Sequence, residues 1–378
     1  MSESPLSMAR PITLLQPARL EIGGGAVTRL AEWAAGYQRV FVVAMTPTAG
    51  FVDRIGLSGT VETFIDLPPE PDLPAVEAVL AAARAFRPDL VIGLGGGSVM
   101  DVAKLVAVLW DSELSVPDVV GVNKVQGRRT ALAQVPTTSG TGSEAGIRSL
   151  VTNPATLAKM AVESQFMLAD IAVLDPELTY SVPAAVTAAT GVDALAHCVE
   201  AFTSIKAHPL IDGYASMGIS LVGQYLARAV ADGSDTEARA GMMLASYYGG
   251  ICLGPVNTAG GHALAYPLGT RLKLPHGLAN AIIFPHMLAF NASVRPEKTA
   301  LIMSALGLSG DTGEQAVRDA SHAYCQGLGI EMSLSQHGAQ RQDLSLWAEE
   351  AFAIKRLIDN NPRPLAVSDI QAIYGNAF

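Results

Sequence analysis

At 378 residues, 49% hydrophobic and 16% charged, the chain has enough apolar material for two sizeable cores and reads as globular. Its 35 acidic and 25 basic residues give a net charge of -10 with no lysine or arginine cluster to track a phosphate backbone, so nucleic acid is excluded as an expected partner. The three cysteines, Cys198, Cys252 and Cys325, form no CxxC pair, which excludes a disulfide framework and a thiolate zinc site and points to a reducing cytoplasm.

From the N-terminus, Met1 to Arg10 lacks the basic start and apolar core of a signal peptide, and no apolar run reaches membrane-spanning length. The chain is therefore expected to be neither exported nor anchored. Ile12–Leu15 and Arg19–Ile22 are strand-like runs, and Gly23–Gly25 leads into a helical pattern from Val27 to Ala35. Strand and helix then alternate: a buried strand over Arg39–Val43, a short helix over Phe51–Gly56, a strand over Val61–Ile65, a helix over Asp72–Phe86 and a strand over Leu90–Leu94. This alternation predicts a parallel sheet covered by helices on both faces.

After Leu94 the chain reads Gly95-Gly96-Gly97-Ser98-Val99-Met100-Asp101 and enters a helix through Trp110. Consecutive glycines between a buried strand and a helix let bare amides approach an anion, and the helix N-terminus adds unpaired N–H groups, which makes a pyrophosphate cradle. A tight turn without a ligand is the alternative, because Ser98 stands where the third glycine of the usual dinucleotide fingerprint would fall. A second polar loop, Thr137–Glu144, follows the apolar run Ala131–Val135 with five hydroxyls and two glycines in eight residues. At the C-terminal edge of a sheet such a loop is placed where open α/β folds bind ligands. Lys159–Val162 and Asp170–Asp175 read as the last strands of this half.

Beyond Pro183 long Ala- and Leu-rich helical patterns dominate, over 183–203, 210–231, 237–252, 277–290, 312–328 and 344–358. The expected division is an α/β domain over 1–180 and a helical domain over 181–378. Asp193 and His197 lie one helical turn apart and leave the same face. His262 and His276 follow in glycine- and proline-marked settings, bracketing a short glycine-rich segment. One carboxylate and three imidazoles suit a borderline divalent metal such as Fe(II) or Zn(II), although the spacing alone is equally met by packed, hydrogen-bonded histidines. His208, His286, His322 and His337 show no such grouping and read as surface or capping residues.

Seven segments in order, GGGSVMD at 95–101, PTTSGTGSEA at 136–145, LDPELT at 174–179, AATGVDALAHCVEAF at 188–202, GGHALAYPLG at 260–269, LPHGLANAIIFPHML at 274–288 and DNNPRP at 359–364, make nearly the whole chain resemble the iron-containing (group III) alcohol dehydrogenases. The resemblance implies an N-terminal α/β dinucleotide-binding domain and an all-α C-terminal metal-binding domain, as in the dehydroquinate synthase-like fold, with the active site in the cleft between them. It implies Asp193, His197, His262 and His276 as ligands of Fe(II), or alternatively Zn(II). It implies Gly96, Gly97, Ser98 and Asp101 as the phosphate loop of NAD or NADP, with Thr137, Thr138, Thr141 and Lys159 as further cofactor contacts. The implied reaction is hydride transfer between an alcohol and an aldehyde or ketone by a homo-oligomer, commonly a dimer.

Three departures from the family pattern bear on function. Tyr266 stands where many members have a second histidine four residues after His262, and a phenol with a pKa of about 10 relays a proton less readily at neutral pH than an imidazole does. Tyrosine at this position is similar to the hydroxyacid-oxoacid transhydrogenase branch. Ala44-Met45-Thr46-Pro47-Thr48 lacks the aspartate that would repel a 2'-phosphate, so NADP is not excluded and Thr46 or Thr48 could donate to that phosphate. Arg148 falls at a position that is usually neutral in the substrate pocket. A guanidinium there would favour a substrate carrying a carboxylate or phosphonate, unless it pairs with Glu144 or Glu163. The alternatives are a hydroxyacid-oxoacid transhydrogenase, a maleylacetate-type reductase, an NAD-using lyase resembling dehydroquinate synthase, a metal hydrolase and a non-enzymatic metal binder.

Overall fold

The computed structural model describes residues 10–308 and 310–378, and residues 1–9, read above for a leader, lie outside them. The chain forms two compact units, one of residues Leu15–Val182 and one of Pro183–Phe378 together with the described residues up to Leu14.

The first unit is built on a six-stranded, wholly parallel sheet. Its strands are β1 (Arg19–Ile22), β2 (Arg39–Val43), β3 (Thr60–Phe64), β4 (Leu90–Gly95), β6 (Ala131–Pro136) and β9 (Ile171–Leu174), in the order β1-β9-β6-β4-β2-β3. Burial follows that order. β4, in the middle, is buried at every residue, while the edge strands β1 and β3 keep exposed positions. Successive residues alternate between faces. Val40, Val42, Leu90 and Ile92 meet α1 (Arg29–Ala34) and α2 (Val52–Ile55), whereas Phe41, Val43 and Val91 meet α3 (Leu73–Phe86) and α4 (Gly97–Leu109). α3 starts where Asp72 accepts from the Ala75 amide with Pro74 in the first turn.

From β2 the chain moves outward to β3, and from β4 it moves the other way to β6. The C-terminal ends of β2 and β4 thus flank the switch point at which open α/β sheets bind ligands. A second sheet, not anticipated from the sequence, joins β5 (Gly121–Val122), β7 (Arg148–Asn153) and β8 (Ala158–Glu163) in the order β5-β8-β7, with β7 and β8 antiparallel. The strand read over Lys159–Val162 belongs to this sheet and not to the main one.

The second unit is helical. Its helices are α5 (Ala184–Thr203), α6 (Pro209–Ala231), α7 (Thr236–Leu253), α8 (Gly260–Leu272), α9 (His276–Ala292), α10 (Pro296–Ala305), α11 (Glu314–Gly327), α12 (Leu344–Phe352), α13 (Lys355–Ile358) and α14 (Val367–Asn376). α5 lies at its centre and is buried without interruption from Gly191 to Thr203, as expected of a helix covered on every side. Gly249 of α7 lets that helix approach closely, since a Cβ there would stand 3.1 Å from His197 Cβ and 3.3 Å from the Ala194 carbonyl oxygen.

Several expectations are corrected. Ile12–Leu15 is not a strand; Ile12 and Leu14 are instead partly buried against the helical core, for an apolar run this short has no period of its own to fix its conformation. Residues 260–272, outside the helical patterns read from the sequence, form a helix even with Pro267 inside it. The pattern over 344–358 is two helices, broken at Ala353–Ile354. His286 is not a surface residue: it is buried on α9 beside His322, and burial pushes its pKa down to about 4. His208 does cap α6, its Nδ1 accepting from the Leu210 amide. No described helix is long and apolar enough to cross a membrane.

Candidate metal centre and cofactor cradle

The helical unit brings all four expected ligands together. Asp193 and His197 project from one face of α5, His262 from the first turn of α8, and His276 is the first residue of α9. The Nε2 atoms of His262, His276 and His197 lie 3.6, 3.8 and 4.0 Å from Asp193 Oδ1, and one ligand atom from each residue lies within 4.8 Å of every other. Four ligands held at about 2.1 Å from one ion would stand roughly 3.4 Å apart, so the set needs only a slight contraction to close on a cation.

The electrostatics agree with that geometry. Burial disfavours the Asp193 charge, but the facing imidazoles of His197, His276 and His262 outweigh it and hold the carboxyl well below the usual carboxylate range. Burial pushes His197 down to about 4, leaving its imidazole neutral. At His262 burial opposes a charge, yet the carboxylates of Glu200 and Asp193 prevail and raise the pKa to about 10. These carboxylates therefore favour positive charge at this point, which a divalent ion would supply in place of a proton. His262 Nε2 is buried without a hydrogen-bond partner, an arrangement expected of an atom that coordinates and costly for one that is merely packed.

Two supporting residues were not legible in the sequence. Glu200, two turns along α5 from Asp193, accepts at Oε1 from His262 Nδ1 (2.9 Å) and from the His262 amide (3.2 Å), and at Oε2 from the Ala259 amide. One carboxylate thus caps the N-terminus of α8 and fixes the tautomer that turns Nε2 toward Asp193. Asn280, one turn after His276, donates from Nδ2 to Asp193 Oδ1 (2.7 Å) and lies 3.0 Å from His276 Nε2. Only its spacing from His276 could have signalled it.

Tyr266 lies one turn after His262 on α8, its ring centroid 6.0 Å from that of His276, and its hydroxyl accepts from Arg356 Nη2 at 3.3 Å.

In the α/β unit the two polar loops meet at the end of β4. Gly96 is the extended N-cap of α4, and the Thr137 amide donates to the Gly95 carbonyl at 3.0 Å. A Cβ on Gly97 would stand 2.6 Å from Thr141 Cγ2, and one on Gly96 would stand 3.2 Å from Thr138 Oγ1. Gly96, Gly97, Thr137, Thr138 and Thr141 therefore lie together at the N-terminus of α4, a candidate cradle for an anion.

The other cofactor candidates are held by neighbouring residues. Asp101 accepts from Ser143 Oγ (2.6 Å) and the Leu150 amide (2.8 Å), tying α4 to the second loop and to β7. The buried Lys104 ammonium adds to this tie through Ser143 Oγ and the Arg148 carbonyl, both at 2.7 Å. Ser98 Oγ accepts from the Glu70 amide at 3.2 Å, and the Glu70 carboxylate pairs with Lys159, so Ser98 and Lys159 are joined through a residue the sequence did not flag. The Thr48 hydroxyl faces the Met45 and Leu94 carbonyls at 3.1 Å each, and its single proton is thereby spent on backbone. Of the two threonines expected to meet a 2'-phosphate, Thr46 alone remains. Arg148 is turned to Glu163, opposite it across the β7–β8 pair, with Nε and Nη2 at 3.0 and 2.7 Å from one carboxylate oxygen. The structural pairing weighed in the sequence is the one found.

Comparison with known proteins identifies the family. Residues 17–176 match the model of iron-containing alcohol dehydrogenases, and residues 187–378 match that of the C-terminal part of the Fe-containing alcohol dehydrogenase family. The chain is 37% identical to long-chain-alcohol dehydrogenase 1 of Geobacillus thermodenitrificans over 99% of its own length and 98% of the relative's. It is also 37% identical to sulfoacetaldehyde reductase of Bilophila wadsworthia, over 80% of each. The crystal structure of sulfoacetaldehyde reductase from Bifidobacterium kashiwanohense in complex with NAD+ superimposes with a TM-score of 0.86 at 27% identity, covering 97% of this chain and 99% of that one. The chain belongs to the iron-containing alcohol dehydrogenase family and is an oxidoreductase of the alcohol–aldehyde class.

Proposed function

We propose that this chain interconverts a small alcohol and its aldehyde or ketone, with hydride passing directly between the nicotinamide ring of NAD(P) and the carbonyl carbon. The observation that carries this reading is the convergence of three imidazole Nε2 atoms on Asp193 Oδ1, with the buried Nε2 of His262 lacking any other partner. Asp193, His197, His262 and His276 would hold the divalent ion, Fe(II) or alternatively Zn(II), and when bound it supplies Lewis-acid polarisation of a substrate oxygen.

The rest falls to the chain. Glu200 keeps His262 in the coordinating tautomer, and Asn280 steadies the Asp193 carboxylate. The cradle of Gly96, Gly97, Thr137, Thr138 and Thr141 receives the pyrophosphate, with Ser98, Asp101 and Lys159 bracing it. Tyr266 accepts a hydrogen bond from Arg356 at its Oη, which leaves its own proton free to be handed on. NAD is favoured by the relative with NAD+ bound. The absence of an acidic residue in Ala44–Thr48 leaves NADPH acceptable as well. The edge strand β1, paired on one side only, supports assembly into a dimer, and three free buried cysteines support a cytoplasmic setting.

The test is nicotinamide absorbance with metal-stripped protein, then with Fe(II) or Zn(II) restored, against NADH and NADPH and a panel of aldehydes. Metal-dependent oxidation of the cofactor is expected. Tight cofactor binding with no net oxidation for any aldehyde would refute the dehydrogenase reading in favour of a transhydrogenase or lyase.

A further inference from the structure

We infer that Arg356 is the anion-recognition residue of this site and selects small aldehydes, or the matching alcohols, that carry a carboxylate. The inference rests on the reading above of the ligand set as an alcohol–aldehyde site and adds to it the class of substrate.

Arg356 sits on α13, a helix of four residues that follows the break at Ala353–Ile354. Its backbone is pinned. The side chain of the buried Asn360 donates to the Arg356 carbonyl at 3.0 Å and to the Thr258 carbonyl at 2.8 Å, while the Asn360 carbonyl accepts from the Ile205 amide just past the end of α5. From that fixed point the guanidinium reaches over Tyr266, 5.7 Å from the ring centroid, with Nη2 3.3 Å from the hydroxyl. Tyr266 in turn lies beside His276. His276 is the most open of the four ligands, its side chain 24% exposed against 5% or less for the others, so substrate has its approach on this side.

Nearby arginines are neutralised and Arg356 is not. Arg271 pairs with Glu350 and Arg363 with Glu314, but among the described residues no carboxylate pairs with Arg356. Among the described residues its guanidinium makes one hydrogen bond, long and to a neutral phenol, which leaves most of the five guanidinium donors unused in an exposed position at the open edge of the ligand set. A planar fork of this kind matches a carboxylate in bidentate fashion. Arg148 cannot take this part, because its guanidinium is already engaged with Glu163.

The experiment compares 4-oxobutanoate with butanal, the same four-carbon aldehyde with and without a carboxylate, on metal-loaded wild type, Arg356→Gln and Arg356→Lys. Wild type is expected to prefer 4-oxobutanoate in kcat/KM. Arg356→Gln is expected to lower the ratio of the two kcat/KM values by about 10- to 100-fold, chiefly through KM for the acid, the size of a lost charge-assisted contact. Arg356→Lys, which keeps the charge and loses the fork, should retain part of the preference. A wild type without preference, or an unchanged ratio in Arg356→Gln, overturns the inference while butanal turnover leaves the dehydrogenase reading intact. Failure to turn over either aldehyde with either cofactor sinks that reading and this inference with it.

Discussion

His262 Nδ1 lies 2.9 Å from Glu200 Oε1, so a carboxylate on α5 determines which nitrogen of an imidazole on α8 faces the metal centre. Because the same group also accepts from two backbone amides, its replacement by an amide sets a donor against donors. Glu200→Gln is expected to weaken metal binding by about 10- to 100-fold, as loss of an orienting partner of a ligand commonly does. Competition with a chelator of known affinity measures this directly. Equal retention of metal by wild type and variant would show that Glu200 serves only to cap α8.

The cofactor cradle yields a steric prediction. A methyl group at Gly97 would stand 2.6 Å from Thr141 Cγ2, which forces the second loop away from the first. Gly97→Ala is expected to weaken NADH binding about tenfold or more, read from nicotinamide fluorescence. Adding Thr141→Ser, which deletes the offending methyl, should recover part of the loss. No recovery would mean that the alanine acts on the ligand itself and not through Thr141.

Glu144 gives a pH dependence. It is fully buried with Oε2 unpartnered, and burial raises its pKa from 4.5 to about 7 against the pull of Lys104. The folded state therefore holds this proton more tightly than the unfolded chain. The resulting stability is complete below about pH 4.5 and is lost as the pH rises through 7. Glu144→Gln removes the penalty, so its Tm should exceed that of wild type by about 3 °C at pH 8 and by less at pH 5. A gain equal at both pH values would contradict the assignment.

Arg148 is expected to act on stability alone. Its pair with Glu163 is partly exposed, and such pairs contribute about 1 kcal/mol or less. Arg148→Ala should lower Tm by a degree or two and leave KM for 4-oxobutanoate as it was. A large rise in that KM would restore Arg148 to the substrate site.

What could be read from the sequence was what local pattern determines. α5, with Asp193 and His197 a turn apart, and the glycines after β4 were legible because spacing and composition within a dozen residues carry them. Glu200 was in view within the same helix, yet its partners Ala259 and His262 lie about sixty residues on, and no periodicity links them. α8 was hidden by its own composition, since three glycines and Pro267 suppress a helical pattern that tertiary burial then enforces. The β7–β8 pair escaped notice for a similar reason: the partner that commits Arg148 is chosen by strand register, and register is not written in either strand alone.

The burial of α5 on every side has a bearing on how this enzyme can change. His197 is backed by Gly249 so closely that one added methyl would require its neighbours to give by a few tenths of an ångström, and the face carrying Asp193, His197 and Glu200 has little slack in which to accumulate substitutions. Tyr266, His276 and Arg356, by contrast, come from three different helices, and two of them reach the surface. New substrate preferences should arise by exchange around the exposed Arg356 on α13, while the helices that carry the four ligands are inherited intact. A library confined to positions around 356 would then sample altered selectivity with the ligand set and Tyr266 preserved.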